Sequence, residues 1–290
     1  MSENSTIEWT DHTFNTHWGC SKVSPGCDHC YAETLAGRFG TGWGDEAAKR
    51  EFDETHWNDL LRWDRKAARE GVRRRVFTNS MSDLFDRFAP DGVRARHWEF
   101  VARTPNLDHL LLTKRIGNVA RMVPAEWLVE GGWPANVWIG ASVVNQKEAD
   151  RDIPKILTLP ARVRFLSMEP LLGPVVLRDS WLHELGWVIV GGESGRYARP
   201  MHPAWARALR DQCEAAGVPF FFKQWGEWAP IHAVSSESVR AGLSASAVQI
   251  VGSGGDGEAN ANVAVMRRVG KKTAGRLLDE QLYDGLPRAA

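Results

Sequence analysis

No run in this chain reaches the roughly 18 consecutive apolar residues that a membrane helix needs, which excludes a helical membrane protein. Net charge is also missing: 36 basic residues face 36 acidic ones among 290. A global electrostatic footprint for a polyanion is therefore absent, although a local basic patch is not. Cysteine is scarce, at four residues. Three of the four crowd together, which leaves one of them without a local partner and argues against a disulfide scaffold. The opening stretch "MSENSTIEWTDHT" is polar and lacks the charged-then-apolar pattern of a secretion signal. The expected location is the cytoplasm, where thiols stay reduced. Tyrosine is rare, at 3, while tryptophan is abundant, at 14; most of these indoles should pack the core, with a minority lining a pocket. No internal repeat is present beyond the alternation described next.

Between about 70 and 225 the chain alternates short apolar runs with amphipathic segments. Strands are predicted at 75–79, 109–113, 136–142, 162–168, 187–191 and 219–223, with helices at 92–103, 146–158 and 203–216. "TFNTHWGC" reads as a first strand, with a helix at 32–39. Near-continuous apolar strands alternating with helices predict a parallel sheet buried on both faces. The fold class is α/β, a full or partial (β/α) barrel of six to seven parallel strands, TIM-barrel-like, with a C-terminal extension; a doubly wound open sheet is the alternative. Residues 1–228 form the barrel domain. Residues 229–290 form an extension that packs on it, with a Gly/Ser/Ala-rich loop over 230–265, a candidate lid, and a basic segment after it.

In either architecture the chemistry sits at the C-terminal strand ends. Those ends are polar. They read "NSMSD" at 79–83, "TKR" at 113–115, Ser142, "SMEP" at 167–170, "GGESG" at 191–195 and "KQW" at 223–225. Any one of them is compatible with a helix cap; together they favour a pocket for a charged ligand.

The cysteines lie in "GCSKVSPGCDHCYAE". Six residues separate Cys20 from Cys27 and two separate Cys27 from Cys30. A two-residue gap lets two thiolates of one turn face one metal centre, and Pro25-Gly26 supports the turn that returns the chain. Structural zinc needs a fourth ligand, for which His12, His17 and His29 are near in sequence. Three cysteines alone suit a four-iron four-sulfur cluster with one iron open. Cys213, inside "ALRDQCEAAG", reads as a small packing residue.

This arrangement resembles the radical S-adenosylmethionine (radical SAM) superfamily. More closely, the chain is similar to an uncharacterised phage and bacterial family that carries the three-cysteine signature with "FTNSMSDLF", "LLTKR", "WIGASV", "FLSMEPLLGPV", "VIVGGESG", "FFFKQWGEW" and "VGKKTAGRLLDE". The resemblance implies a 4Fe-4S cluster on Cys20, Cys27 and Cys30. It also implies S-adenosyl-L-methionine on the open iron and its reductive cleavage to a 5′-deoxyadenosyl radical that abstracts hydrogen from a substrate. The superfamily pattern has three residues between the first two cysteines where this chain has six. His29 stands where an aromatic residue often touches adenine. "NSMSD" replaces the usual early glycine-rich motif, and "VGGESG" resembles that motif but arrives late. The implied ligand contacts are His29, Ser80, Asp83, Lys114, Ser142, Glu169, Glu193, Ser194 and Lys223, with Glu169 and Glu193 foremost. Implied partners are an electron donor and a substrate, for which a nucleotide or nucleic acid is favoured. Two other readings stay open: a zinc-stabilised module that binds nucleic acid or protein, and an iron–sulfur redox protein that does not cleave S-adenosylmethionine.

Overall fold

A computed structural model describes residues 2–231, 248–254 and 263–287 of the chain. Its internal contacts divide it into two units, Met1–Ala141 with Pro154–Phe165, and Ser142–Ile153 with Leu166–Ala290.

In the first unit the strands are β1 (Ser2–Glu3), β2 (His12–Phe14), β3 (His17–Trp18), β4 (Arg50–Glu51), β5 (Arg74–Thr78), β6 (Leu107–Thr113) and most of β7 (Val137–Ser142). The helices are α1 (Tyr31–Arg38), α2 (Glu54–Glu70), α3 (Val93–Arg103) and the single turn α4 (Val119–Met122). β2, β5, β6 and β7 pair in parallel in that order, with registers His12↔Val76, Val76↔His109 and His109↔Val137. β1 adds antiparallel to β2, and β3 pairs antiparallel with β4. The region around "TFNTHWGC" thus forms two short strands, of which only β2 joins the parallel set.

Why these segments become strands is plain from their burial. β6 reads LDHLLLT with all but one residue buried, and β5 opens on two half-buried arginines before burying Val76, Phe77 and Thr78. Such strands are stable only when covered on both faces. One cover is α2, a helix with no counterpart among the sequence-based expectations. Asp53 caps it by accepting from the His56 backbone N–H at 3.1 Å, and Gly71 ends it at φ 64°. Its inner stripe of Trp57, Leu60, Trp63 and Ala67 packs with Phe14, Val76, Phe100 and Leu107. Truncating one such indole, as in Trp57→Ala, costs about 3–5 kcal/mol. In the same unit His97 and His109 are fully buried with ring centroids 5.3 Å apart. His109 Nε2 meets Thr104 Oγ1 at 2.8 Å, whereas neither ring nitrogen of His97 has a hydrogen-bond partner. Burial holds both rings in the neutral form. It drives His97 well below the usual histidine range and His109 to about 3.

The second unit holds the end of β7, most of α5 (Gln146–Leu157) and of β8 (Arg164–Met168), and all of α6 (Asp179–Leu182), β9 (Trp187–Gly191), α7 (Pro203–Ala216) and β10 (Phe220–Gln224). β8, β9 and β10 neighbour one another in chain order, and β9 and β10 run parallel, Val188 opposite Phe220. Cys213 is wholly buried in α7, as a packing residue should be. An antiparallel sheet follows in the order β11 (Trp228–Pro230), β13 (Val263–Arg268), β12 (Val248–Gly252). The turn α8 (Lys271–Ala274) leads to a closing segment that returns to the strands. The Phe222 N–H donates to the Tyr283 carbonyl at 2.9 Å, and Trp187 Nε1 donates to that of Gly285 at 2.7 Å. The rest of the 230–265 stretch, where a lid was expected, lies outside the described residues.

In each unit the parallel strands follow one another without a reversal of order. That is the β/α-barrel succession and not the doubly wound one, which needs a switch point. The class expected from the sequence is the class that forms: an α/β fold of partial (β/α)-barrel type with seven parallel strands. Among the described residues no helix is long and apolar enough to cross a membrane.

Candidate functional site

The three cysteines belong to the first unit, in a loop whose two ends are fixed by local chemistry. Entry is set by Gly19, at φ 110°, where an added Cβ would stand 2.8 Å from Lys49 Cδ and 3.1 Å from the Gly42 carbonyl oxygen. Only glycine fits that conformation and that space. Beyond Cys20, Ser24 Oγ accepts from the Gly26 N–H at 3.0 Å and starts a 3-10 turn, Pro25–Cys27. Cys27 is buried in that turn, and Cys30 stands half-buried at the N-cap of α1. All four cysteines are free thiols.

"NSMSD", expected to touch a ligand, braces this loop. Asn79 takes the left-handed conformation at φ 67°, which asparagine tolerates. It receives the Thr16 N–H at 2.8 Å and donates to Thr16 Oγ1 at 3.0 Å. Asn15 donates to Ser80 Oγ at 3.1 Å and accepts the Met81 N–H at 2.7 Å. Ser82 Oγ donates to the His17 carbonyl, and the Gly19 N–H to that of Met81. Tyr31, the residue after Cys30, donates its hydroxyl to the Ser80 carbonyl at 2.8 Å.

A buried charge cluster lies beneath Cys20. Arg115 Nη1 donates to Cys20 Sγ at 3.5 Å and to Asp83 at 3.1 Å. Its Nη2 donates to the Ser21 carbonyl and hydroxyl, both at 2.8 Å, and to Asp86 at 3.1 Å. Asp83 is saturated: it also accepts Thr113 Oγ1 at 2.8 Å, the Phe85 N–H at 3.0 Å and the Lys114 N–H at 3.1 Å. The side chains of Arg115, Asp83 and Asp86 are only 8%, 7% and 1% exposed. Two carboxylates therefore share one guanidinium. Burial first, and then the charge of Asp83, pushes the Cys20 thiol up to about 12, while Arg115 pulls the other way. An isolated Cys20 stays protonated; it ionises only where further positive charge arrives.

Among the described residues no group of three or more His, Cys, Asp or Glu is arranged to hold a metal ion. The three thiols share one loop without forming a ready clasp. Their donor chemistry nonetheless fits a thiophilic centre: three free thiols in one loop, two of them half-buried and one buried. His29 is half-buried beside Cys30. A cavity beside β1 and β2 is lined by Asp11, His12, Trp63, Lys66 and Arg74 among others; of the histidines near the cysteines in sequence only His12 borders it, and none of the three cysteines or of the implied ligand contacts does.

The remaining strand-end candidates are in the second unit, where they are paired. Glu169 accepts from Ser167 Oγ at 3.3 Å and meets Lys223 Nζ at 2.6 Å. Glu193 takes the Arg199 N–H at 2.7 Å, Nε at 2.8 Å and Nη2 at 2.6 Å. Ser194 Oγ accepts from Gln224 Nε2 at 3.1 Å, and Ser142 is buried. In "VGGESG" a Cβ on Gly192 would fall 1.9 Å from the Trp225 carbonyl oxygen, so that glycine serves close backbone packing. Arg115, Asp86, Ser21 and Asn15 were not among the residues singled out in the sequence. "TKR" had drawn notice for its lysine.

The fold and this loop define an α/β protein of β/α-barrel succession with a three-thiol loop ahead of its second parallel strand. The chain belongs to the family described as "Protein of unknown function (DUF5131)", which matches residues 4–287. It is similar to solved structures of spore photoproduct lyase. One, of a cysteine-to-serine mutant, has TM-score 0.44 at 11% identity, with 92% of this chain and 71% of that one covered. Another, of a double mutant with bound AdoMet and dinucleoside spore photoproduct, has TM-score 0.45 at 12% identity, covering 89% and 68%. No curated protein matches the chain.

Proposed function

We propose that the chain is an enzyme of the radical SAM type. Cys20, Cys27 and Cys30 hold a 4Fe-4S cluster. Bound there, such a cluster would supply a binding place for S-adenosylmethionine and the electron for its reductive cleavage, the chemistry that yields a 5′-deoxyadenosyl radical for hydrogen abstraction from a substrate. The observation that carries the reading is the imbalance at Cys20: a desolvated thiol against two buried carboxylates and one arginine. Such a site is stabilised by added positive charge, and three thiolates in one loop are the donors that recruit it.

The protein's own contribution is to hold the loop and keep water from it. Asn15 and Asn79 lock the chain that leads to Cys20, Tyr31 ties the start of α1 to Ser80, and Cys27 is withdrawn from solvent. His29, Ser80 and Lys114 are half-buried in this unit and are assigned to ligand contacts; Asp83 acts through Arg115. In the second unit Ser142, Glu169, Ser194 and Lys223 keep the same assignment, and Glu193 acts through Arg199. Residues 1–228 carry the chemistry and 229–290 form an extension. A nucleobase or nucleotide is the favoured substrate class, and a separate electron donor is required.

A second reading rests on His17. It is fully buried three residues before Cys20, and its Nε2 has no hydrogen-bond partner. A Cys3His zinc site would use it and make the protein a binding module. The test is anaerobic reconstitution with iron and sulfide, then dithionite and S-adenosylmethionine. Formation of 5′-deoxyadenosine is expected. Tightly held zinc with no 5′-deoxyadenosine sinks the enzyme reading; a cluster without cleavage leaves an iron–sulfur redox protein.

A further inference from the structure

We infer that Arg115 is the positioning residue of the cysteine loop, holding Cys20 in place and setting the reduction potential of the centre that the thiols bind. The second half of that statement rests on the function proposed above; the first half does not.

The geometry carries it. Arg115 follows β6, and its guanidinium is fixed before any metal arrives. Asp83 orients Nη1 while itself pinned by Thr113 Oγ1, the Lys114 N–H and the Phe85 N–H, and Asp86 orients Nη2. The donors left over point at the loop, to Cys20 Sγ, the Ser21 carbonyl and the Ser21 hydroxyl. Ser21 Oγ donates its own proton to Asp86 at 3.3 Å, which closes a ring of bonds around the residue after the first cysteine. A planar fork can serve two carboxylates, a carbonyl and a sulfur at once, whereas an ammonium cannot keep those directions. Other charges face the ring: the backbone carbonyl of Asp86 takes Arg94 Nη1 at 3.2 Å.

A cation that donates to a ligand sulfur stabilises the added electron when a thiolate-held centre is reduced, and a nearby carboxylate opposes it. Arg115 and Asp86 therefore push the potential in opposite directions. No merely structural role has that signature.

The experiment compares the wild-type chain with Arg115→Lys, Arg115→Met and Asp86→Asn. Hydrogen–deuterium exchange of the apoprotein is read over residues 19–30, with thermal melting to confirm folding. Arg115→Lys should raise exchange there at least several-fold while the strands stay protected; unchanged exchange overturns the positioning role. After reconstitution, dithionite-based redox titration followed by electron paramagnetic resonance should show a more negative midpoint in Arg115→Met and a less negative one in Asp86→Asn. If Arg115→Met does not fold, Asp86→Asn alone decides the second half, a midpoint that is unchanged or more negative overturning it, and Arg115→Lys decides the first. Shifts of the same sign, or none, overturn the second half. A wild-type chain that takes up no iron overturns the proposed function and this second half together, while the exchange comparison still decides the first.

Discussion

At the ends of β8 and β9, Glu169 meets Lys223 at 2.6 Å and Glu193 is gripped by Arg199. At the ends of β5 and β6, Asp83 and Asp86 divide one guanidinium between them, with a cysteine sulfur on the same guanidinium. Both regions bury carboxylates, and both satisfy them with short charge-assisted bonds. They differ in balance. In the second unit each of these carboxylates has a cation of its own, so the group is neutral as folded. Beneath Cys20 two carboxylates share the one guanidinium that bonds them, Arg94 reaching only the Asp86 backbone carbonyl, so ionising the thiol would add negative charge with no cation of its own. A protein tolerates such an imbalance where it is due to receive positive charge. The difference is what the proposed role of the cysteine loop rests on.

The comparison breaks first at the thiols. Cys27→Ala should remove nearly all cluster iron and all 5′-deoxyadenosine, while Glu193→Gln should leave iron uptake at the wild-type level; equal losses in both would erase the contrast. Stability sharpens it next. Arg115→Met strands two buried carboxylates and should cost about 3–5 kcal/mol in urea unfolding. In the balanced region Lys223→Met strands one carboxylate that is 13% exposed and should cost about 1.5–3 kcal/mol. The double exchange Glu169→Gln with Lys223→Met should recover more than half of that loss. A cost for Lys223→Met above that of Arg115→Met would contradict the account.

The smallest effect concerns pH. His97 and His109 are held neutral in the fold, with pKa values depressed by burial. Below about 6.5 the unfolded chain takes up protons that the folded chain refuses. Stability is therefore full above that pH and falls as pH drops, by up to about 1.4 kcal/mol per unit for each ring. For His109 the loss continues down to about pH 3. His12, His17 and His56 are depressed in the same direction and add to the slope. His97→Phe should flatten the dependence between roughly pH 6.5 and 5.5 by about one ring's share. An unchanged slope would show that His97 is not neutral by burial.

The strands were legible because a parallel strand covered on both faces must be apolar throughout, as in "HLLLT" and "WVIVG". α2 was not, since its stripe of Trp57, Leu60, Trp63 and Ala67 is threaded among eight charged residues and resembles a polar linker. The cysteine loop announced itself by spacing alone. Its support did not, because Arg115 reaches Asp86 across 29 residues and Cys20 across 95, and no local pattern records such a meeting. "VGGESG" is the opposite case, with its support close by in sequence. Its carboxylate finds a partner six residues on, and Gly192 serves close backbone packing.

The most direct measurement is iron and acid-labile sulfide per chain after anaerobic reconstitution, made side by side on the wild-type protein and Cys27→Ala. About four of each are expected in the wild type and almost none in the variant. Zinc in place of iron, or equal iron in both proteins, would contradict it.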